Sequence, residues 1–259
     1  MHALASLGHV VIHALATFGS LTVFTARAFF ISVTPPWSLR RIGSQLLVVG
    51  YYSLPVVGMT ALFTGAALAQ QIFVGGSRFN ASSTVPAVTV IAIVRELGPV
   101  LCGLMVAGRI SSAMAAEIGA MRVSEQIDAL STLSVDPHRY LIAPRVIAST
   151  IALPFLTLIA NVIGVMGGYL IGVYRLGFNA ANYLDVTRQY LEWQDIQSSL
   201  VKAVIFGFIV AVMGCYYGFH SKGGAAGVGR ATISAVVSAF IAILLVNLVI
   251  TVIVFGQVT

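Results

Sequence analysis

Four stretches of the chain contain no Asp, Glu, Lys or Arg, and each is close to or above the length that crosses a lipid bilayer. They are Ile42–Ser77, Val146–Tyr174, Ala203–Ser221 and Ala231–Thr259. A transmembrane helix needs about 20 mainly apolar residues, whereas a membrane β-strand alternates apolar and polar residues over about 10. Because these stretches are continuously apolar, they predict an all-α, polytopic integral membrane protein.

The composition of the whole chain supports this class. Hydrophobic residues make up 58% of the sequence and charged residues only 8%, whereas a soluble domain carries about 25% charged residues. The formal charge of +6 is not gathered into a basic patch with aromatic residues, so nucleic-acid binding is not predicted. Both cysteines, Cys102 and Cys215, lie in apolar stretches, which favours packing over a disulfide.

We predict a single membrane domain, 1–259, in which a bundle over 42–259 follows an N-terminal helix and elbow over 1–41. Five spans are expected, at about 45–73, 84–107, 146–172, 199–219 and 233–256. Polar residues in the first helix recur every three or four positions, at His2, Ser6, His9, His13, Thr17 and Ser20. Such a polar stripe is typical of a helix that lies in the membrane interface. A sixth span is the alternative.

The distribution of cationic residues predicts the orientation. With a cytoplasmic N-terminus, one side of the membrane holds Arg27, Arg40, Arg41, Arg109, Arg122, Arg139, Arg145, Lys222 and Arg230. The other side holds Arg78, Arg175 and Arg188. Lys and Arg collect in cytoplasmic loops. We therefore predict a cytoplasmic N-terminus and a C-terminus on the opposite side.

Two adjacent charges, Arg95 and Glu96, interrupt the predicted second span about eleven residues from each of its ends. A charge at that depth is costly and marks a candidate functional site. Lys202 and Asn247 are further polar residues within spans and are candidates for the same site. Arg95, Glu96 and Lys202 sum to +1, which would suit an anionic lipid head group. The alternative is an internal salt bridge that only sets the packing of the helices.

The predicted inside segment, 109–145, is unusually long and has helical character. Between Ala115 and Pro137, apolar residues follow an approximate helical stripe beside a charged surface. The pattern predicts a short amphipathic helix on which a soluble partner could dock. A simple surface helix is the alternative.

Motifs of catalysis are absent from the sequence. It has no G-x-x-x-x-G-K-[ST] phosphate loop, no H-E-x-x-H and no G-x-S-x-G, and its histidines have no metal-ligand spacing. We expect a non-catalytic protein without a metal or cofactor. If the process consumes energy, another chain must supply it.

Several ordered motifs resemble those of one family. They are RELGPV (95–100), AGR (107–109), AEIGAMRVSEQIDAL (116–130), VDP (135–137) and GVGRAT (227–232). Together they resemble the MlaE family, the permease subunits of bacterial ABC transporters that work with MCE-domain proteins, with relatives in chloroplasts. The resemblance runs from about residue 45 to the end of the chain.

The resemblance implies a homodimer in the bacterial inner membrane. It implies a cytoplasmic ABC ATPase dimer, a STAS-domain protein and a periplasmic MCE-domain ring as partners. The complex would move glycerophospholipids between the inner and outer membranes and so maintain outer-membrane lipid asymmetry. Two other functions stay open from the residues alone: an ion-coupled secondary transporter and a structural scaffold for an MCE ring.

The resemblance also implies roles for particular residues. Those expected to bind substrate are Arg95, Glu96, Leu97, Lys202 and Asn247, although some members carry an acid in place of Asn247. Those expected on a coupling helix that contacts the ATPase are Glu117, Gly119, Arg122, Glu125, Gln126 and Asp128.

Overall fold

The structure, a computed structural model, describes residues 2–78 and 82–256, which form helices and short connections and no β-strand. The prediction of an all-α protein is confirmed. The helices are α1 (His2–Val33), α2 (Leu39–Val49), α3 (Leu54–Ser77), α4 (Val85–Ala92), α5 (Gly98–Val106), α6 (Ser112–Val123), α7 (Gln126–Thr132), α8 (Ala143–Tyr174), α9 (Ala180–Tyr190), α10 (Trp193–Phe219) and α11 (Gly224–Phe255). Five-residue wide turns with π-helical hydrogen bonding join α4 to α5 (Ile93–Leu97), join α5 to α6 (Ala107–Ser111) and precede α8 (His138–Ile142).

Six helical segments among the described residues are long and apolar enough to cross a membrane. They are Leu15–Val33, Leu39–Ser77, Val85–Val123, His138–Tyr174, Trp193–Phe219 and Gly224–Phe255. Five of them match the five predicted spans to within one residue of containing them. The additional segment belongs to α1, which the sequence placed in the membrane interface, so length and composition qualify six helices rather than five.

Helix α1 packs on the bundle through part of one face. Phe24 and Ala28 are buried, and the Ser20 hydroxyl lies 2.6 Å from the Tyr216 hydroxyl of α10. Ser20 therefore faces protein, although the sequence assigned it to a polar stripe. The side chains of His2, Ser6, His9 and His13, on which that stripe also depends, lie outside the described part of the structure.

The second predicted span, 84–107, does not end where the sequence placed its boundary. Helical structure continues from Val85 to Val123, 39 residues or about 58 Å, which exceeds the ~30 Å hydrocarbon core. Arg109 does not end the helix because its Nη1 donates to the Val48 carbonyl (3.1 Å) and the Ser53 hydroxyl (2.8 Å). Arg95 is thus about ten residues from one end of the segment and far from the other. Its predicted placement about eleven residues from each end does not apply to this longer segment.

The two ends of the bundle can be told apart by their contacts. At the elbow end, where residues 34–38, 124–137 and 220–223 lie, Arg41 stacks on Tyr140 and His138 on Phe219. At the opposite end, which we call the α9 end, the rings of Phe73 and Phe178 lie 5.9 Å apart. Arg95 is near the α9 end because its ion-pair partner lies at the start of α10.

Small residues bring α3 and α8 into close contact. A Cβ atom on Gly65 would overlap the carbonyl oxygen of Gly164, and one on Gly167 would overlap that of Leu62. Small residues at four-residue spacing allow such backbone approach between membrane helices. This contact fixes α3 and α8 as a rigid pair against which α4 and α5 pack.

Candidate functional site: a charged cluster within the membrane bundle

The cluster begins at a local break in the helix. Arg95 and Glu96 lie in the wide turn Ile93–Leu97, and Pro99 follows in the first turn of α5. Proline has no amide hydrogen, so Pro99 cannot donate to the carbonyl of Arg95, four residues earlier. Lys202 of α10 takes the place of that donor, since its Nζ atom lies 2.8 Å from the Arg95 carbonyl oxygen. The Arg95 carbonyl, which lacks its donor in the helix, therefore accepts a hydrogen bond from a cation of a neighbouring helix.

Glu96 joins this turn to α10 and α11. Its Oε1 atom accepts hydrogen bonds from Lys202 Nζ and Thr251 Oγ1, both at 2.8 Å, and its Oε2 atom accepts one from Asn247 Nδ2 at 2.8 Å. Lys202 is fully buried and also contacts Thr251 Oγ1 at 2.9 Å. An ammonium group has three donors, and here each donor has an acceptor. The buried charge is thus both paired and hydrogen-bonded.

Arg95 forms a second ion pair with α10. Its Nε atom lies 2.6 Å from Oδ1 of Asp195, whose side chain is fully buried. Oδ2 of Asp195 accepts from the Glu192 backbone amide at 3.2 Å, as part of the capping box that starts α10. Asp195 and Lys202 are seven residues apart and so share one face of α10 about two turns apart. Arg95 and Glu96 are neighbours in the wide turn, and they therefore contact α10 at positions about two turns apart.

The guanidinium group of Arg95 is held at one edge and open at the other. Its Nε is paired, and its carbon lies 4.6 Å from the centre of the Phe255 ring. Its terminal nitrogens make no hydrogen bond within residues 2–78 and 82–256. The side chain is 30% exposed, and that of Glu96 is 37% exposed. The planar fork of donors suits a phosphate group.

The structure brings together most of the predicted substrate residues. Arg95, Glu96, Lys202 and Asn247 meet in one cluster, whereas Leu97 points to a different apolar cavity beside Ala61. The predicted charge of +1 is wrong for the complete cluster, because Asp195 adds a second carboxylate and the formal sum becomes zero.

Sequence reasoning missed Asp195 and Thr251. Asp195 stands in a polar stretch just before an apolar run, where a carboxylate is expected to cap a helix. The sequence also places Asp195 three positions after Glu192, which is the spacing of the capping box that these two residues form. Thr251 carries no distinguishing signal, since threonine is common in membrane helices.

The predicted coupling helix is two helices. α6 ends at Val123, Glu125 adopts a left-handed conformation (φ 61°), and α7 begins at Gln126. Helices do not continue through a left-handed residue. Ile127 anchors α7 by its buried side chain, and Leu133 just after α7 is 73% exposed. The exposed face of this segment lies at the elbow end.

The six predicted coupling residues divide between packing and surface. The Glu117 carboxylate lies 2.8 Å from Nη2 of the buried Arg145, and a Cβ on Gly119 would crowd Val228. Glu117 and Gly119 therefore contribute to the packing of α6 against α8 and α11. Arg122 pairs with Asp128 at 2.6 Å on the surface. Glu125 and Gln126 are exposed and have no side-chain partner within the described part of the chain.

Three other side chains that could take part in chemistry, those of Cys102, Cys215 and Tyr183, are buried. Cys102 and Cys215 are buried free thiols, in agreement with the prediction that they pack rather than pair. No group of three His, Cys, Asp or Glu side chains suited to a metal occurs among the described residues. On α9, burial raises the pKa of the Tyr183 phenol, which therefore stays neutral.

Comparison with known proteins places this architecture among permeases. Residues 42–253 match the family described as Permease MlaE. A probable ABC transporter permease protein of Rickettsia bellii is 53% identical over 246 residues, 95% of each chain. The intermembrane phospholipid transport system permease protein MlaE of Haemophilus influenzae is 35% identical over 213 residues, 82% of each chain. The chloroplastic protein trigalactosyldiacylglycerol 1 of Arabidopsis thaliana is 40% identical over 212 residues, 82% of this chain and 61% of that protein.

Proposed function

The chain belongs to the MlaE family of permeases, and on that premise we propose that it is the membrane subunit of an ABC transporter for phospholipids. It works in the bacterial inner membrane and moves phospholipids between that membrane and the outer membrane. The Haemophilus influenzae relative, which covers 82% of the chain, carries that activity in its name. The chain performs no catalysis, and a partner ATPase hydrolyses ATP.

The exposure of the charged cluster supports a homodimer. Arg95 and Glu96 are 30% and 37% exposed in a single copy, within a segment that crosses the membrane. A charge facing hydrocarbon is costly. A second copy that covers this opening turns it into an enclosed polar cavity. The outward face of α11 beside it is apolar and exposed, as at Leu248 and Val252.

The open edge of Arg95 is the observation that carries the substrate assignment. Asp195 fixes the Nε edge of the guanidinium, so the terminal nitrogens keep one direction. A phospholipid phosphate binds there in bidentate fashion. Glu96, already bonded to three donors, keeps the cluster neutral overall, so that the anion is held without being trapped.

The two ends of the bundle fit two kinds of partner. The elbow end is cytoplasmic, in accord with the excess of Lys and Arg there, and the exposed surface around α7 contacts the ATPase dimer. The STAS-domain protein joins on this cytoplasmic side. The α9 end is periplasmic and faces the MCE-domain ring. Arg95 lies near this end, so a lipid bound there has a short path to the ring.

Reconstitution of the complex in liposomes tests the function. Arg95→Lys keeps the charge that pairs with Asp195 but removes the planar fork. We expect ATP-driven phospholipid transfer to fall at least tenfold while the complex assembles and hydrolyses ATP. Arg188→Lys, an exposed residue of α9, is the matched control. Transfer that needs an ion gradient but no ATPase would indicate a secondary transporter. Assembly without any transfer by the parent protein would indicate a scaffold.

A further inference from the structure

A second cavity, of about 220 Å³, lies at the elbow end and shares no residue with the charged cluster. It is bounded by the residues that follow α1, by the first turn of α2 and by the start of α8. Three candidate membrane segments begin or end here, at Val33, Leu39 and His138. The cavity therefore lies at the level of one membrane surface.

The rim of the cavity is basic and aromatic. Arg41 stacks on Tyr140, with its guanidinium carbon 3.3 Å from the ring centre, and donates from Nη1 to the Tyr140 carbonyl at 3.3 Å. Arg139 is exposed, and its side chain has no hydrogen-bond or ion-pair partner within the described residues. Trp37 completes the rim and is 50% exposed. Trp and Tyr favour the head-group level of a bilayer.

The one carboxylate of the lining does not neutralise these arginines. Oδ1 of Asp136 accepts from the His138 backbone amide at 2.9 Å and lies 3.8 Å from Nη2 of Arg27. Its charge is thus directed to Arg27, outside the lining. The formal charge of the lining is +1, from Arg41, Arg139 and Asp136.

The floor of the cavity is apolar and includes Ile31 and Ile147. A soluble phosphate or nucleotide would leave this surface in contact with water. A molecule with an anionic head and an acyl chain satisfies both parts, since the head meets the rim and the chain meets the floor.

We propose that this cavity binds the head group of an anionic phospholipid, with its phosphate between Arg41 and Arg139 and its first acyl carbons against Ile31 and Ile147. Basic pockets between membrane helices on the cytoplasmic side bind such head groups. The bound lipid joins the end of α1 to α2 and α8. This lipid stays bound at the elbow end and is distinct from the transported substrate. The proposal therefore does not depend on the transport assignment.

The two tryptophans of the chain provide a direct assay. Trp193 lies at the other end of the bundle and is 69% exposed, so Trp193→Phe leaves Trp37 as the only reporter. The full chain carrying this change is reconstituted in phosphatidylcholine liposomes that contain brominated phosphatidylglycerol or, at equal mole fraction, brominated phosphatidylcholine. Bromine quenches tryptophan fluorescence on contact, so quenching reports which lipid occupies the cavity.

We expect phosphatidylglycerol to be preferred, with a loss of about fivefold in preference for each arginine removed. Arg139→Gln should reduce the preference without affecting folding, because the Arg139 side chain has no hydrogen-bond or ion-pair partner among the described residues, and Arg41→Gln with Arg139→Gln should abolish it. Arg40→Gln, at an exposed arginine outside the lining, is the control and should change nothing. Equal quenching by both lipids in the parent, or an unchanged preference in Arg139→Gln, would overturn the proposal. Relief of quenching by millimolar inorganic phosphate at constant ionic strength would show a site for free phosphate instead.

Discussion

Oδ1 of Asp195 lies 2.6 Å from Nε of Arg95, and this contact joins the first turn of α10 to the wide turn that precedes α5. Asp195 is fully buried while Arg95 is 30% exposed. The aspartate therefore acts as a positioning residue, and the arginine presents its free edge to the opening. The start of α10 and the presentation of the arginine depend on the same carboxylate.

Asp195→Asn tests this positioning role. Asparagine keeps an acceptor for the Glu192 amide but removes the charge that fixes Arg95. We expect lipid transfer to fall about tenfold, since a hydrogen bond between charged groups contributes about 1.5–3 kcal/mol. Transfer and thermal unfolding are measured on the same reconstituted samples. Asp185→Asn, at an exposed residue of α9, serves as the control. Normal transfer by Asp195→Asn would mean that Arg95 does not need this partner.

The ion pair between Lys202 and Glu96 predicts that removal of one partner destabilises the protein more than removal of the other. Lys202 is fully buried, whereas Glu96 is 37% exposed. Glu96→Gln leaves an uncompensated buried ammonium and should cost about 3–5 kcal/mol. Lys202→Met leaves a carboxylate that still has Asn247 and Thr251 as donors, and should cost less, about 2–3 kcal/mol.

Denaturation in detergent micelles measures this order, with Lys222→Met at an exposed position as the control. The double variant should be more stable than Glu96→Gln alone, because it no longer contains an unpaired buried ammonium group. A larger loss for Lys202→Met than for Glu96→Gln would contradict the burial on which the prediction depends.

The sequence revealed the cluster only in part. Arg95, Glu96 and Lys202 were conspicuous because charges are rare in apolar stretches, and that rarity was enough to predict that they share a site. Asp195 was hidden because it lies among other polar residues, where hydropathy gives no contrast. The length of the second span was misjudged because Arg109 resembled the end of a span, although its guanidinium group forms hydrogen bonds within the bundle.

A buried arginine predicts the effect of changes at Glu117. Arg145 is only 6% exposed at its side chain, and Glu117 is its ion-pair partner among the described residues. Glu117→Gln should therefore destabilise the protein by about 1–3 kcal/mol even without the ATPase. Thermal unfolding of the isolated permease checks this. If stability is unchanged and only ATPase binding falls, Glu117 is a docking residue, as the sequence had indicated.

The backbone at Glu125 separates stability from docking. A left-handed conformation costs a non-glycine residue about 1–2 kcal/mol, so Glu125→Gly should stabilise the isolated permease. The same change removes an exposed carboxylate and should weaken copurification of the ATPase. Glu125→Gln removes the charge but keeps the strain, and should weaken binding without the gain in stability. Full ATPase binding by both variants would exclude Glu125 from the interface.

The break between α6 and α7 could not be predicted from the sequence either. The apolar stripe continues on both sides of Ser124, so periodicity indicated one helix. No glycine or proline marks the turn, and the left-handed residue is a glutamate. The exposed surface could be predicted from the charges, but the partners of Glu117 and Gly119 required knowledge of how α8 and α11 pack against α6.

The proposed function depends on binding of a phospholipid phosphate at the open edge of Arg95 in the assembled complex. Photocrosslinking from Leu248 tests this binding, because Leu248 follows Asn247 on α11 and lies beside the opening that the second copy would enclose. A crosslinker at Val162, on the exposed face of α8, reports ordinary membrane lipid. We predict that labelled phospholipid attaches at both positions, and that Arg95→Lys abolishes labelling at 248 but not at 162. Labelling at 248 that is absent in the parent complex, or that persists unchanged in Arg95→Lys, would contradict the claim.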